Sequence, residues 1–120
     1  MKYEYFDSPI HEIGSRSTEN ISKNEIVAKE PFIKLEKDSY KNICVRSYYW
    51  SKNRFNTETS ILILGLGCMA NHSFNPNMDL RLSECKKYVI FYALKDISKN
   101  EELFLNYGQG WWIKKGITPL

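Results

Sequence analysis

Apolar residues along this chain come in short bursts separated by polar turns, and few bursts keep the period of a helix. Alternation over residues 1–6 predicts a strand, which Ser8-Pro9 ends. Residues 10–17 carry Gly14 and show no clear period. Residues 25–29 and 32–35 read as two short strands, with Pro31 at an edge or bend between them. Residues 40–50 fit a helical face as well as a strand, and their aromatic and β-branched content favours a strand over 45–50. The polar stretch 51–60 is a loop or a frayed helix. Residues 61–64 are wholly apolar, and Gly65 and Gly67 break that run ahead of a helical turn over 68–70. Leu80, Leu82 and residues 88–94 form a hairpin connected by 84–87, and 103–107 make a last strand. The sum is a mainly β domain with few short helices.

One pentapeptide occurs twice, as Ile21-Ser22-Lys23-Asn24-Glu25 and Ile97-Ser98-Lys99-Asn100-Glu101. Each copy precedes a β-favourable run, so both read as one turn used twice. Asn24 and Asn100 are expected in the left-handed region, which Asn tolerates better than most residues.

Composition narrows the class. At 120 residues the chain is one domain, and 42% hydrophobic content is that of a folded globule. A net charge of +3 is too weak a bias to argue direct nucleic-acid binding. No apolar run approaches membrane-spanning length and the first residues do not read as a signal peptide, so the expected setting is intracellular, cytoplasmic or nuclear. Cys44, Cys68 and Cys85 are odd in number and widely spaced, which reads as reduced thiols with no metal site.

The chemistry concentrates in Asn71-His72-Ser73-Phe74-Asn75-Pro76-Asn77, directly after the apolar run. Five of these seven residues carry hydrogen-bonding side chains, and Pro76 prevents a helix from continuing. Polar groups emerging from a core need partners, so the segment is either a rigid corner or a ligand site. A Cys68–His72 pair has the spacing for metal binding or nucleophilic catalysis, but two ligands do not complete a zinc site and nothing supplies an oxyanion hole.

Gly14, the segment 71–77 and the run Glu102-Leu103-Phe104-Leu105-Asn106-Tyr107-Gly108 follow one another in order. Together they resemble the SET-domain protein lysine methyltransferases, especially the small stand-alone forms of viruses and microbes. That family carries Asn-His-Ser-x-x-Pro-Asn followed by Glu-Leu-x-x-x-Tyr-Gly, and the likeness extends over residues 8–112 of a single domain, 1–120. The resemblance implies small sheets of β-clip type, with a C-terminal segment passing through an earlier loop as a pseudoknot. It implies S-adenosylmethionine as cofactor and a protein lysine, for instance on a histone tail, as substrate. Tyr107 is the implied catalytic residue. Gly14, Ser15, Asn71, His72 and Trp112 are implied at the cofactor, and Tyr48, Leu105 and Trp111 at the substrate. Tyr48 and the two tryptophans read equally well as plain hydrophobic cover, and the tryptophans also suit a homodimer interface.

Two departures stand out. Glu12 occupies the place of the family's first glycine, where a side chain would lose glycine's backbone freedom. The cysteine cluster that follows the domain in many members has no counterpart in 108–120. Glu12 leaves a second reading open, a SET-fold module that binds a lysine-containing peptide without turnover.

Overall fold

Alternation at the N-terminus does produce a strand, β1 (Tyr3–Asp7), and it pairs antiparallel with β2 (Ile13–Ser17). The computed structural model describes residues 2–10, 12–35, 49–50 and 61–107. The sequence pattern gives no sign of β2, because glycine, serine and arginine supply no β-branched surface. Pairing supplies the strand instead, with Ser15 and Ser17 buried against the core.

The main sheet has five strands in the order β4 (Tyr49–Trp50), β5 (Ile61–Ile63), β3 (Ile26–Lys34), β8 (Tyr88–Ala93), β7 (Met78–Leu82). β3 corrects the two-strand reading, since one strand runs through Pro31 at the centre of the sheet. Proline is tolerated there because β3 changes partner around it. Residues 26–31 pair with β8 and residues 32–34 with β5. The hairpin of β7 and β8 forms as expected. The helical turn, α1 (Leu66–Met69), starts two residues before the expected 68, with Gly67 inside it. The expected strand over 45–48 and the loop 51–60 lie outside the described residues.

The two copies of the pentapeptide meet face to face. Ile21 and Ile97 exchange backbone hydrogen bonds of 2.8 and 2.7 Å, and both side chains are buried. The Lys23 amide donates to Asp96 Oδ1, and the Lys99 amide donates to Asn20 Oδ1, each at 2.9 Å. Each turn is therefore closed by the side chain that precedes the other copy. Asn24 and Asn100 have φ of 72° and 70°, as expected of the left-handed region. Replacing Asn100 with glycine should leave stability unchanged or slightly raised. Valine there should cost about 1 kcal/mol or more in chemical denaturation.

The core gathers Phe91, Val89, Ile61, Ile63, Leu66, Met78 and Leu103 between these sheets. Each such side chain contributes roughly 1.5–3 kcal/mol through burial. β6 (Asn71–His72) leaves this core and pairs parallel with β9 (Phe104–Leu105). The segment ahead of β9 is held from the other side by β2: Ser17 N–H donates to Glu101 O and Leu103 N–H to Ser15 O. The C-terminal segment thus lies between the first hairpin and the 71–77 corner, which brings three distant stretches of chain to one place.

Candidate active site

The corner 71–77 is rigid for a definable reason. Asn77 Nδ2 donates to Glu102 O at 2.7 Å and to Glu101 Oε2 at 3.0 Å, while its Oδ1 accepts from Phe104 N–H at 2.9 Å. One buried amide therefore clamps the segment that leads to β9. Asn75 N–H donates to Ser73 Oγ, which shapes the turn before Pro76. Two readings of the segment stood open, and Asn77 and Ser73 serve the rigid corner.

Tyr107 sits at the end of that clamp. Its amide donates to His72 Nδ1 at 3.0 Å, and its hydroxyl donates to Ala70 O at 2.5 Å. The rings of Tyr107 and His72 lie 5.2 Å apart, and Phe74 meets His72 edge-on at 4.3 Å. The tyrosine is thus fixed at both ends on the residues flanking Asn71. Because its hydrogen goes to a carbonyl, the phenol oxygen keeps lone pairs with which to accept a hydrogen bond.

Burial holds the His72 imidazole below its ordinary pKa. Nδ1 is an acceptor, so the neutral ring carries its hydrogen on Nε2. The depressed folded-state value means that the unfolded chain takes up a proton first as pH falls. Stability contributed by neutral His72 should therefore be present above about pH 6.5 and lost as pH drops below it. His72→Asn keeps an acceptor near the Tyr107 amide, and it should flatten that slope in denaturation curves recorded from pH 7.5 to 5. An unchanged slope would reassign the acid sensitivity to other groups.

Cys68 does not pair with His72. Its thiol donates to Ile63 O, and burial, followed by the nearby Glu30 carboxylate, pushes its pKa up. A thiol held protonated and aimed elsewhere is neither nucleophile nor ligand. Among the described residues no group of three His, Cys, Asp or Glu could hold a metal ion. Cys44 lies outside them.

The first hairpin meets the same corner through Glu102. Its Oε1 accepts from Ser8 Oγ at 2.8 Å, and its Oε2 accepts from Asn71 Nδ2 at 2.9 Å. Gly14 lies directly against this pair. A Cβ at 14 would stand 2.6 Å from Glu102 Oε2 and 3.0 Å from Asn71 Nδ2, so any side chain there would push the carboxylate away. Ser15, expected beside Gly14 at the cofactor, is fully buried. Its carbonyl is taken by the Leu103 amide, and successive strand residues face opposite ways, so its side chain points away from Glu102. Among the described residues its hydroxyl has no partner.

Glu12 corrects the expectation that its side chain forbids glycine's geometry. It adopts φ of 40° and its carbonyl accepts from Ser8 N–H at 2.7 Å, closing the hairpin loop. The backbone copies the left-handed conformation at a cost of order 1 kcal/mol. Glu12→Gly should accordingly raise the unfolding free energy by up to about 1 kcal/mol. A loss in thermal denaturation would show that the Glu12 side chain contributes more than its strain costs.

Leu105, expected at the substrate, is fully buried in the core cluster. Tyr48, Trp111 and Trp112 lie outside the described residues. Sequence reasoning quoted Glu102 and Asn77 within motifs without assigning them work. It missed Ser8, Ala70 and Glu30 altogether. For Glu30 a signal existed, the one acid between the short apolar runs 26–28 and 32–33.

The sequence profile of the SET domain matches residues 12–108. The chain belongs to the SET-domain family. The mainly β architecture, with one short helix among the described residues, is that of a SET domain. A Schizosaccharomyces pombe histone-lysine N-methyltransferase specific for H3 lysine-37 is 35% identical over 68 residues, 57% of this chain and 43% of that protein. A Chaetomium globosum enzyme specific for H3 lysine-4 is 29% identical over 83% of this chain, which spans only 10% of that protein's length. This SET domain also superposes on the crystal structure of a Plasmodium falciparum protein assigned as a histone methyltransferase. That match has a TM-score of 0.74 and 28% identity, and it covers 92% of this chain and 96% of the other.

Proposed function

We propose that this SET domain is a protein-lysine N-methyltransferase that uses S-adenosylmethionine, with Tyr107 as its catalytic residue. The observation that carries the reading is the double anchorage of Tyr107, through its amide to His72 Nδ1 and through its hydroxyl to Ala70 O. The donor set fits the cofactor. Asn71, the Glu102 carboxylate and the close-packed Gly14 backbone form a polar corner beside that tyrosine, suited to an amino-acid end. When bound, S-adenosylmethionine supplies a methyl group on a positively charged sulfur.

Methyl transfer to an amine is an in-line displacement, so the chain's work is alignment and exclusion of water. Tyr107 accepts a hydrogen bond from the incoming amine and fixes the direction of its lone pair. Near pH 7.4 only about one lysine in a thousand is neutral, given an ordinary pKa of about 10.4. A dry channel beside a positive charge favours loss of that proton to solvent before reaction, and no strong general base is then needed. Neutral His72 suits this role, because a charged imidazole could not accept the Tyr107 amide.

The histone relatives motivate a histone tail as the first substrate to try, which would place the site of action on chromatin. The reading assigns Trp112 to the cofactor, Tyr48 and Trp111 to the lysine, and the two tryptophans to a homodimer contact. It includes no direct contact with nucleic acid or membrane. Among the described residues no helix is long and apolar enough to cross a membrane.

A radiolabelled methyl-transfer screen over core histones and a cell lysate tests the activity, run beside a thermal shift with S-adenosylhomocysteine. Label on lysine is the expected result. A thermal shift without transfer to any protein would leave a binding module, and neither shift nor transfer would remove the reading.

A further inference from the structure

The ion pairs among the described residues leave one carboxylate of the site without a cation. They are Lys2–Glu25 and Arg16–Glu4, and neither involves Glu102. Arg16 is a basic residue close to hand, since its backbone bridges that of Glu102. Its guanidinium nevertheless turns to Glu4 at 2.8 Å and lies 5.1 Å over the Phe6 ring. Among the described residues Glu102 is left with two neutral donors, Ser8 and Asn71, on opposite oxygens. A carboxylate offers about four acceptor positions, so both oxygens retain capacity.

Keeping a half-buried carboxylate without a counter-charge is costly, and proteins retain such groups where a ligand brings the charge. The surroundings also preserve its position. Gly14 has no side chain to displace it, Asn77 holds its own backbone carbonyl, and Asn71 fixes one oxygen from the strand that carries His72. The corner is therefore a negative charge presented by neutral hydrogen-bond donors, the arrangement that recognises a primary ammonium group.

We propose that Glu102 is the counter-charge for the α-ammonium group at the amino-acid end of S-adenosylmethionine, and so a determinant of cofactor selectivity. The inference rests on the methyltransferase reading above. The target lysine also carries an ammonium, but Glu102 is tied to Ser8, Gly14 and Asn71, whereas the amine-orienting hydroxyl of Tyr107 is tied to Ala70.

Calorimetric titration of the full chain tests this with three ligands and no peptide. They are S-adenosylhomocysteine, its analogue lacking the α-amino group, and 5′-methylthioadenosine, which lacks the whole amino-acid end. Wild type should bind S-adenosylhomocysteine at least tenfold more tightly than the deamino analogue. Glu102→Gln keeps the shape and an acceptor oxygen, and it should weaken S-adenosylhomocysteine at least tenfold. The same change should move the deamino analogue and 5′-methylthioadenosine less than twofold. Equal weakening of all three ligands would make Glu102 a structural residue and overturn the proposal. Unchanged binding of S-adenosylhomocysteine, with a raised KM for the protein substrate alone, would overturn it in favour of the lysine. Should Glu102→Gln fail to fold, the wild-type comparison decides, since equal affinity for S-adenosylhomocysteine and its deamino analogue removes the ammonium contact. Wild type binding none of the three would instead remove the methyltransferase reading itself.

Discussion

Tyr107→Phe should lower methyl transfer by roughly ten- to a thousandfold, a barrier increase on the order of 1.4–4 kcal/mol. The phenylalanine ring can keep its place beside His72, and the residue-107 amide still reaches Nδ1, so the backbone of the site is retained. What disappears is the oxygen that accepts from the amine, together with the donor to Ala70 O. Losing one part-buried hydrogen bond should cost about 1 kcal/mol of stability. Affinity for S-adenosylhomocysteine should change little, because the proposed cofactor contacts lie at Gly14, Asn71 and Glu102. Asn71→Ala should have the opposite profile and weaken cofactor binding first. Wild-type turnover by Tyr107→Phe on a verified substrate would return Tyr107 to the status of a strand-end tyrosine.

Gly65→Ala should be the most destabilising of the single substitutions considered, by about 4–7 kcal/mol. Gly65 has φ of 56°, which costs an alanine of order 1 kcal/mol or more. The larger contribution comes from Glu30. Its Oε2 accepts from Tyr3 Oη and from Leu66 N–H, both at 2.6 Å, and a Cβ on residue 65 would stand 1.7 Å from that oxygen. The carboxylate would have to leave a buried position, forfeiting hydrogen bonds to a charged group worth roughly 1.5–3 kcal/mol each. Burial and this same carboxylate also push the Tyr3 hydroxyl well above its ordinary pKa, so it remains a donor throughout the neutral range.

The damage should reach the Tyr107 corner as well. The Glu30 contact sets the first residue of α1, and Ala70, one turn later, carries the carbonyl that fixes Tyr107. In a double-mutant cycle Gly65→Ala should cost clearly less on a Glu30→Ala background than on wild type. Additive losses in urea denaturation would show that the collision with Glu30 is not the cause. Total stabilities of small domains are about 5–15 kcal/mol, so the single variant should already unfold within reach of ordinary assays.

Sequence alone determined the class of fold and singled out the motifs proposed to carry the chemistry. The short apolar bursts, the repeated turn with its two left-handed asparagines, the hairpin of 78–82 with 88–93, and the two motifs around Asn71 and Tyr107 were all legible, because each depends on residues close together in the chain. Local information also located Glu12 as a departure, but not its outcome. Propensity said that a glutamate resists positive φ, while the closing hydrogen bond from Ser8 outweighs a strain of order 1 kcal/mol.

Tertiary structure decided everything that rests on partners distant in sequence. β2 exists because β1 and residues 101–103 satisfy its backbone, whatever the weak propensity of Gly14 to Ser17. Pro31 lies inside a central strand because its neighbours change over at that point. The two pentapeptides close one another, so their likeness is a matter of mutual pairing, which no single copy could announce. Glu102 meets Ser8 and Asn71, and Glu30 meets Tyr3 and Leu66, across separations of 27 to 94 residues. Chain pattern records which residues are apolar, but a carboxylate's partners are set by where the folded backbone delivers its donors. That placement makes one acid a support for α1 and sets the other between Ser8 and Asn71.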